Sequence, residues 1–402
     1  MSNKNSREPV ILASARTAQG KLMGALSSMT AADLGQVAFK AAIERSGIDP
    51  ADLNEVIVGN VVSAGVGQAL PRQISIGAGV PEHVGGVSIN KVCGSGLKSI
   101  MLASSAIKAD DGDLFLAGGV ESMSNAPHFS RLRNGSKYGA VEFQDAVEID
   151  GLTDTFNEWL MGNAAEFIGK QLEVTREEMD EFSYRSHKLA HEASEAGKFK
   201  QEIEPITIKT RKGEFVVDTD EPIRPSTTVE ALSKLRPAFE TDGQVTAGNA
   251  PGLNDGASAV VVASRDYAEK KGHDVVARIV GYGQAAVDPK WIFYAPVKAV
   301  PVALEKAGWS HEDVDLYEFN EAFAAQVLAD MRGLERDGYP IPLEKINVHG
   351  GAIALGHPLG SSGSRVLVTL IHALQDRGLK RGLAALCLGG GEAVAMAIEL
   401  ES

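Results

Sequence analysis

An α/β fold built from two related halves, with a long insertion in the first, is what this 402-residue sequence predicts. Three observations carry that expectation. β-like runs alternate with helical stretches in both halves, a segment beginning near residue 43 recurs near residue 304, and only the first half is interrupted, over residues 122–247, by a polar stretch with helical patterning. Alternating β and α elements imply sheets covered by helices.

The recurrence is visible residue by residue. IERSGIDPADL at 43–53 aligns with LEKAGWSHEDV at 304–314, so that Glu44, Gly47 and Asp52 match Glu305, Gly308 and Asp313 at a common offset of 261. Each copy reads as a helix end, a glycine stop and an approach to a β-like run. Further on, VSINKVCGSG, LKSIMLASSAIKAD and DLFLAGG read as strand and glycine turn, helix, and strand. KINVHGGAIALGHPLG, SSGSRVLVTLIHALQDRG and LAALCLGGG repeat that order. The two helical stretches are expected to stop near Gly112 and Gly378, where glycine suits a left-handed cap. After LCLGGG the second half runs straight into AVAMAIEL, whereas the matching run of the first half, ASAVVVAS, waits until 257–264. The expected organisation is residues 1–121 plus 248–272 as the first half, 122–247 as the insertion and 273–402 as the second half. The insertion holds VTREEMDEFSYRSHKLAHEASEAG, the basic run KTRKG and EPIRPSTT, and reads as a lid or binding subdomain, since long insertions in compact folds are often functional.

Composition narrows the class of protein. Hydrophobic residues at 44% and charged residues at 23% are an ordinary globular mixture. A net charge of −14 argues against a nucleic-acid or membrane surface as partner. No secretory leader, run of eighteen apolar residues or C-terminal peroxisomal tripeptide is apparent, so the expected location is cytoplasmic. Cys93 and Cys387 are the two cysteines, and a reducing compartment makes them thiols.

Cys93, in NKVCGSGL, sits between a β-like run and a helix start, where free N–H groups and the helix dipole favour a thiolate. A small buried hydrophobe is the other reading of such a cysteine. His357 lies in GGAIALGHPLG, on a loop entering a helix, and an imidazole is the ordinary proton acceptor for a nucleophilic thiol. Cys387 ends a β-like run before Gly389, Gly390 and Gly391, whose amides suit an oxyanion. Asn320 ends VDLYEF and begins NEAFA; it suits either a helix N-cap or an uncharged group orienting an imidazole. His187 and His191 have i,i+4 spacing without further ligand motifs, and are expected to be solvated helix residues rather than metal ligands. GSGLKS lacks the spacing of a phosphate-binding loop.

Taken in order, NKVCGSGLKS, AGNAPGLNDGAS, EFNEAFAAQ, GGAIALGHPLGSSG and LCLGGGEAVAM resemble the thiolase family, most closely its acetyl-CoA acetyltransferase branch. ARTAQGKLMGAL, GGVESMSNAPH and KLRPAF extend the resemblance over nearly the whole chain. It implies a five-layer α-β-α-β-α core made of two duplicated halves with an inserted loop domain. It further implies that Cys93 is acylated, that His357 activates the thiol, and that Cys387 moves the α-proton in carbon–carbon bond formation or cleavage. By the same resemblance Asn320 holds a water at the enolate oxygen, and the amides of Cys93 and Gly389 form the oxyanion hole. Coenzyme A is implied as substrate and product, with no metal and no permanently bound cofactor. Arg224 matches the arginine near the CoA nucleotide, and Phe239, Phe323 and Met161 match positions along the pantetheine channel. A homo-oligomer, dimer or tetramer, is implied, with residues 123–141 resembling a tetramer-forming loop.

Three places depart from the family pattern. Leu160 stands where acetyl-CoA-specific members commonly carry histidine before Met161-Gly162. Pro251 replaces a serine whose hydroxyl is expected near the pantetheine amide, and also lacks a backbone donor. Trp291, Phe293 and Tyr294 are bulky where relatives carry small residues, and either line the acyl tunnel or simply repack. These departures leave room for a degradative 3-ketoacyl-CoA thiolase acting on longer chains, or for a CoA- or lipid-binding protein without catalysis.

Overall fold

A computed structural model describes residues 6–211 and 213–401; Lys212 of the basic run lies outside the described residues. The main strands are β1 (Pro9–Thr17), β2 (Glu55–Gly59), β3 (Gly85–Ile89), β4 (Leu114–Ser122), β5 (Asn254–Ser264), β6 (Ala277–Ala286), β7 (Leu316–Phe319), β8 (Arg381–Leu388) and β9 (Glu392–Leu400). The helices that matter for the site are α1 (Ala31–Ser46), α2 (Ser95–Ala109), α3 (Met161–Gln171), α4 (Arg176–Glu195), α5 (Ala295–Ala307), α6 (Ala324–Arg336) and α7 (Leu359–Arg377).

The duplication extends to strand order and direction. In the first half the order is β1-β5-β4-β2-β3, with two antiparallel pairings followed by two parallel ones. In the second it is β6-β9-β8-β7, with the same directions, and the counterpart of β3 is reduced to a single parallel bridge between Tyr317 and Ile346. The two sheets meet where Val10 and Ile11 of β1 pair with Arg278 and Ala277 of β6. The repeat noticed in the sequence is the end of α1 and the end of α5, capped by Gly47 at φ 65° and Gly308 at φ 69°. Left-handed backbone at both positions explains why glycine recurs there.

Helices α2 and α7 are the middle layer. Their approach is close enough that a Cβ on Gly96 would lie 2.6 Å from the Ser364 nitrogen, and one on Gly363 would lie 2.4 Å from the Leu97 nitrogen. α7 is buried over nearly its whole length and carries Arg365, which pairs with Glu318 of β7 at 3.0 Å in the core. α2 ends at Asp110, in the left-handed conformation at φ 65°, and not at Gly112 as expected. Aspartate tolerates this conformation because its short polar side chain can bond locally; Gly112 instead fits tightly against Phe115 and Asn54.

The inserted stretch contains α3 and α4, the latter opened by a reciprocal cap in which Thr175 and Glu178 satisfy one another's amides. Two of its ties to the core involve β1. Residues 203–204 add a short parallel strand to β1, and Arg16 of β1, fully buried, bonds Glu202 at 2.7 Å and both oxygens of Asp220 at 2.7 and 2.8 Å. Removing one partner of such a buried cluster typically costs ~3–5 kcal/mol, so the clamp holds the insertion at a set position on the core. Among the described residues no helix is long and apolar enough to cross a membrane.

Candidate active site

The turn from Asn90 to Ser95 displays Cys93. Val92 adopts φ 45°, a conformation that strains a β-branched residue. Side chains hold it there: Asn90 Oδ1 accepts from the Val92 amide at 2.9 Å, and Ser95 Oγ donates to the Val92 carbonyl at 2.7 Å while accepting from the Lys91 amide at 2.8 Å. Strain of ~1–3 kcal/mol maintained by three hydrogen bonds is the behaviour of a residue whose neighbour must point in one direction. Cys93 faces a cavity of about 260 Å³ that also reaches His357, Cys387 and Gly389.

His357 follows Gly356, which sits at φ 104° and where a Cβ would lie 2.6 Å from Asn254 Cγ. Asn254 in turn accepts the His357 amide at 2.9 Å. Ser362 donates its only hydroxyl proton to the Pro358 carbonyl at 2.9 Å, so at 2.6 Å from His357 Nδ1 it is an acceptor. The network therefore assigns the ring proton to Nδ1 and leaves Nε2 as the basic nitrogen. Asn320, fully buried, places its amide nitrogen 3.4 Å from Nε2, and its Oδ1 has no protein partner.

Burial governs the charges. It pushes the Cys93 thiol up to about 12, although the amides of Gly389 and of Cys93 itself pull the other way. It lowers His357 to about 3, with Arg365 adding to the effect. Burial therefore opposes the thiolate that the helix start favours at Cys93, and it favours a neutral imidazole at His357. Cys387 is buried at the end of β8, and its thiol is raised well above the ordinary range by burial, with Asp330 and Cys93 adding to it. Alkylation of Cys93 by iodoacetamide should accordingly rise about tenfold per pH unit from pH ~7 to ~10 without levelling, because the thiolate fraction keeps growing toward the raised value. Peptide mapping of the labelled cysteine checks this, and a plateau below pH ~8 would indicate a thiolate–imidazolium pair instead.

Of the other residues singled out, Gly389, Leu160, Met161, Pro251, Phe239 and Phe323 line the same cavity. Arg224 does not: it is exposed and borders a separate cavity with Tyr184 and His187. His187 corrects the expectation of a solvated residue, being 1% exposed, with Nδ1 accepting from the Arg224 amide at 3.2 Å. The aromatic stretch divides. Phe293 faces the cavity and packs at a tilt against Phe323, while Trp291 packs edge-to-face with Phe167 and Tyr294 away from it.

Sequence reasoning missed the supports. Glu121, at the end of β4, accepts from the amides of Val61, Val62 and Gly360 and from Asn60 at 2.8–3.1 Å, joining the loop after β2 and the first turn of α7 to β4. Asn254 and Ser362 were also missed, although each stands inside a motif already noted.

Residues 9–266 match the family model "Thiolase, N-terminal domain", and residues 273–400 match "Thiolase, C-terminal domain". The chain belongs to the thiolase family. This thiolase is 48% identical over 392 residues to an acetyl-CoA acetyltransferase of Cupriavidus necator, covering 97% of this chain and 98% of that one. It is also 48% identical over 394 residues to one of Pseudomonas aeruginosa, covering 98% and 99%. Among solved structures, the Bacillus anthracis acetyl-CoA acetyltransferase superposes with a TM-score of 0.95 at 42% identity, covering 99% of this thiolase and 100% of that chain. The Syntrophomonas wolfei acetyl-CoA acetyltransferase does so with 0.96 at 39%, covering 98% and 99%.

Proposed function

We propose that this thiolase interconverts two acetyl-CoA with acetoacetyl-CoA and free CoA through an acetyl group carried on Cys93. The observation that carries this reading is the convergence of two thiols, one imidazole and the Gly389 amide on one cavity. In the first step the Cys93 proton passes to His357 Nε2, the sulfur attacks the acetyl-CoA carbonyl, and CoA leaves with that proton. The amides of Cys93 and Gly389 stabilise the oxyanion of the tetrahedral adduct; losing one such donor typically costs ~100- to 1,000-fold. In the second step Cys387, as a thiolate after releasing its own proton to solvent, takes the α-proton of a second acetyl-CoA, and the Cys93 thiolate set free by the new bond is reprotonated from solvent. The enolate oxygen faces His357 and a water held by the unpartnered Oδ1 of Asn320, and the carbanion displaces Cys93 from the acetyl group. In cleavage the direction reverses, and a Cys387 thiol kept protonated by burial is the proton donor.

CoA is assigned to the channel between the insertion and the core, with Met161, Phe239, Phe323 and Pro251 along the pantetheine arm and the exposed Arg224 available to the nucleotide phosphates. Binding it transiently as substrate and product requires no resident cofactor and no metal. The division at 121/122, 247/248 and 272/273 is part of the same reading. So is a homo-oligomer: β3 leaves a sheet edge open, Val87 on it and Ile76 beside it are exposed, and the loop at 123–141 exposes Leu132 and Tyr138. Two free thiols support a cytoplasmic setting.

A second reading, cleavage of longer 3-ketoacyl-CoA, is favoured by the apolar wall that Met123, Val147, Leu152, Leu160 and Phe293 give the cavity. Thiolysis of acetoacetyl-CoA and of a long-chain 3-ketoacyl-CoA, measured side by side, separates the two. Preference for acetoacetyl-CoA is the expected result. Preference for the long chain would move the assignment to a degradative thiolase, and cleavage of neither would support a binding protein.

A further inference from the structure

We propose that Asp330 is a positioning residue for the carbon–carbon bond step, acting through the side-chain amide of Gln326 on the loop 320–323. The proposal rests on the functional reading above. That loop supplies Asn320 and Phe323 to the site and leads directly into α6, whose N-cap residue, Phe323, makes no side-chain cap hydrogen bond. The Ala322 amide, in the middle of the loop, is bonded by Gln326 Oε1 at 3.0 Å and by the Asn320 carbonyl at 3.1 Å. Gln326 Nε2 then donates to Asp330 Oδ2, one turn further along α6.

A glutamine amide is nearly symmetric in shape and opposite in chemistry at its two ends. The Ala322 N–H selects the Oε1 end, and an acceptor at position 330 engages the NH2 end, so the side chain is fixed at both ends and held against the loop. Among the described residues Asp330 Oδ1 is buried without a hydrogen-bond partner, and both Asp330 and Gln326 are 0% exposed. The surrounding positions of α6 are apolar, with Val327, Ala329 and Leu334 buried. An acid in such a place is costly, and an aliphatic side chain would fill the position without that cost. Breaking a packing rule for one contact that holds a catalytic loop is the pattern expected where function constrains the core. Burial holds the Asp330 carboxyl well above the usual carboxylate range, and the bond from Gln326 offsets part of that rise.

The test separates the two half-reactions. Cys93 acetylation by acetyl-CoA is followed by rapid quench, and acetoacetyl-CoA thiolysis by steady-state kinetics. Asp330→Leu and Gln326→Leu are each expected to acetylate Cys93 within about threefold of the wild type, while kcat for thiolysis falls roughly 10- to 100-fold, the usual consequence of a slightly misplaced catalytic group. Asp330→Asn, which keeps an acceptor for Gln326, should restore thiolysis to within about threefold. Equal loss of both half-reactions in the leucine variants, no loss in either, or failure of asparagine to restore thiolysis would each overturn the proposal. If Asp330→Leu does not fold, Gln326→Leu and Asp330→Asn decide the matter alone. Failure of the wild type to acetylate Cys93 would instead overturn the functional reading and this proposal with it.

Discussion

Cys93→Ala is expected to accept no acetyl group from acetyl-CoA and to lose at least ~10⁴-fold in thiolysis, as removal of a covalent nucleophile does elsewhere. The size of the effect follows from the absence of a substitute. Cys387, the other thiol on the cavity, is only 2% exposed and ends β8, opposite Ala393 across the turn, so it is held by the sheet rather than displayed on a strained turn. The strained Val92, the three hydrogen bonds that maintain it and the Gly389 amide all serve position 93. Because Cys93 is half-buried beside the cavity, alanine should leave the folded structure intact, and an unchanged thermal midpoint is part of the expectation. Intact-protein mass after incubation with acetyl-CoA, together with thiolysis rates, checks both statements.

Cys387→Ala is expected to behave differently. Acetylation of Cys93 should survive with a rate within about threefold of the wild type, whereas condensation and thiolysis fall by ~10²- to 10⁴-fold, the range for loss of a general acid or base. The separation arises because His357, not Cys387, meets the requirement for activating Cys93: its Nε2 is the unprotonated nitrogen, contacted by the Asn320 amide at a long 3.4 Å, and burial keeps the ring neutral. Cys387 has no such role in the first half-reaction, but its buried thiol is a strong base once ionised and a ready donor when protonated. Rapid-quench acetylation measured beside steady-state thiolysis distinguishes the two steps. Equal retention of both in Cys387→Ala would remove the residue from the mechanism.

Much of the fold could be read in advance because its signals are local. The glycine stops at Gly47, Gly308 and Gly378 are set by backbone conformation at one residue, and each is left-handed in the structure. The alternation of elements in the two halves is set by apolar periodicity along each element. What escaped depended on tertiary closeness. Asp110 replaced Gly112 as a cap because the helix ran shorter than its pattern, and the second-half counterpart of β3 shrank to one bridge at Ile346. His187 looked solvated by spacing, yet its helix face is covered by the segment carrying Arg224.

The site divides in the same way. Cys93, His357 and Cys387 stood out because thiols and imidazoles beside glycine turns have few ordinary uses. Glu121, Asn254, Ser362 and Gln326 are common polar residues whose roles appear only when distant loops meet around them. At Cys93 a helix start is legible in the sequence, but the burial that opposes its dipole is a property of the assembled core.

The most direct measurement is to mix the wild-type protein briefly with acetyl-CoA in the absence of free CoA, quench in acid and map the modified peptide. The account predicts an acetyl thioester on Cys93, released CoA in equal amount, and loss of the label when CoA is added back. Acetyl on Cys387 or on another residue, or CoA release without any acetylated peptide, would contradict it.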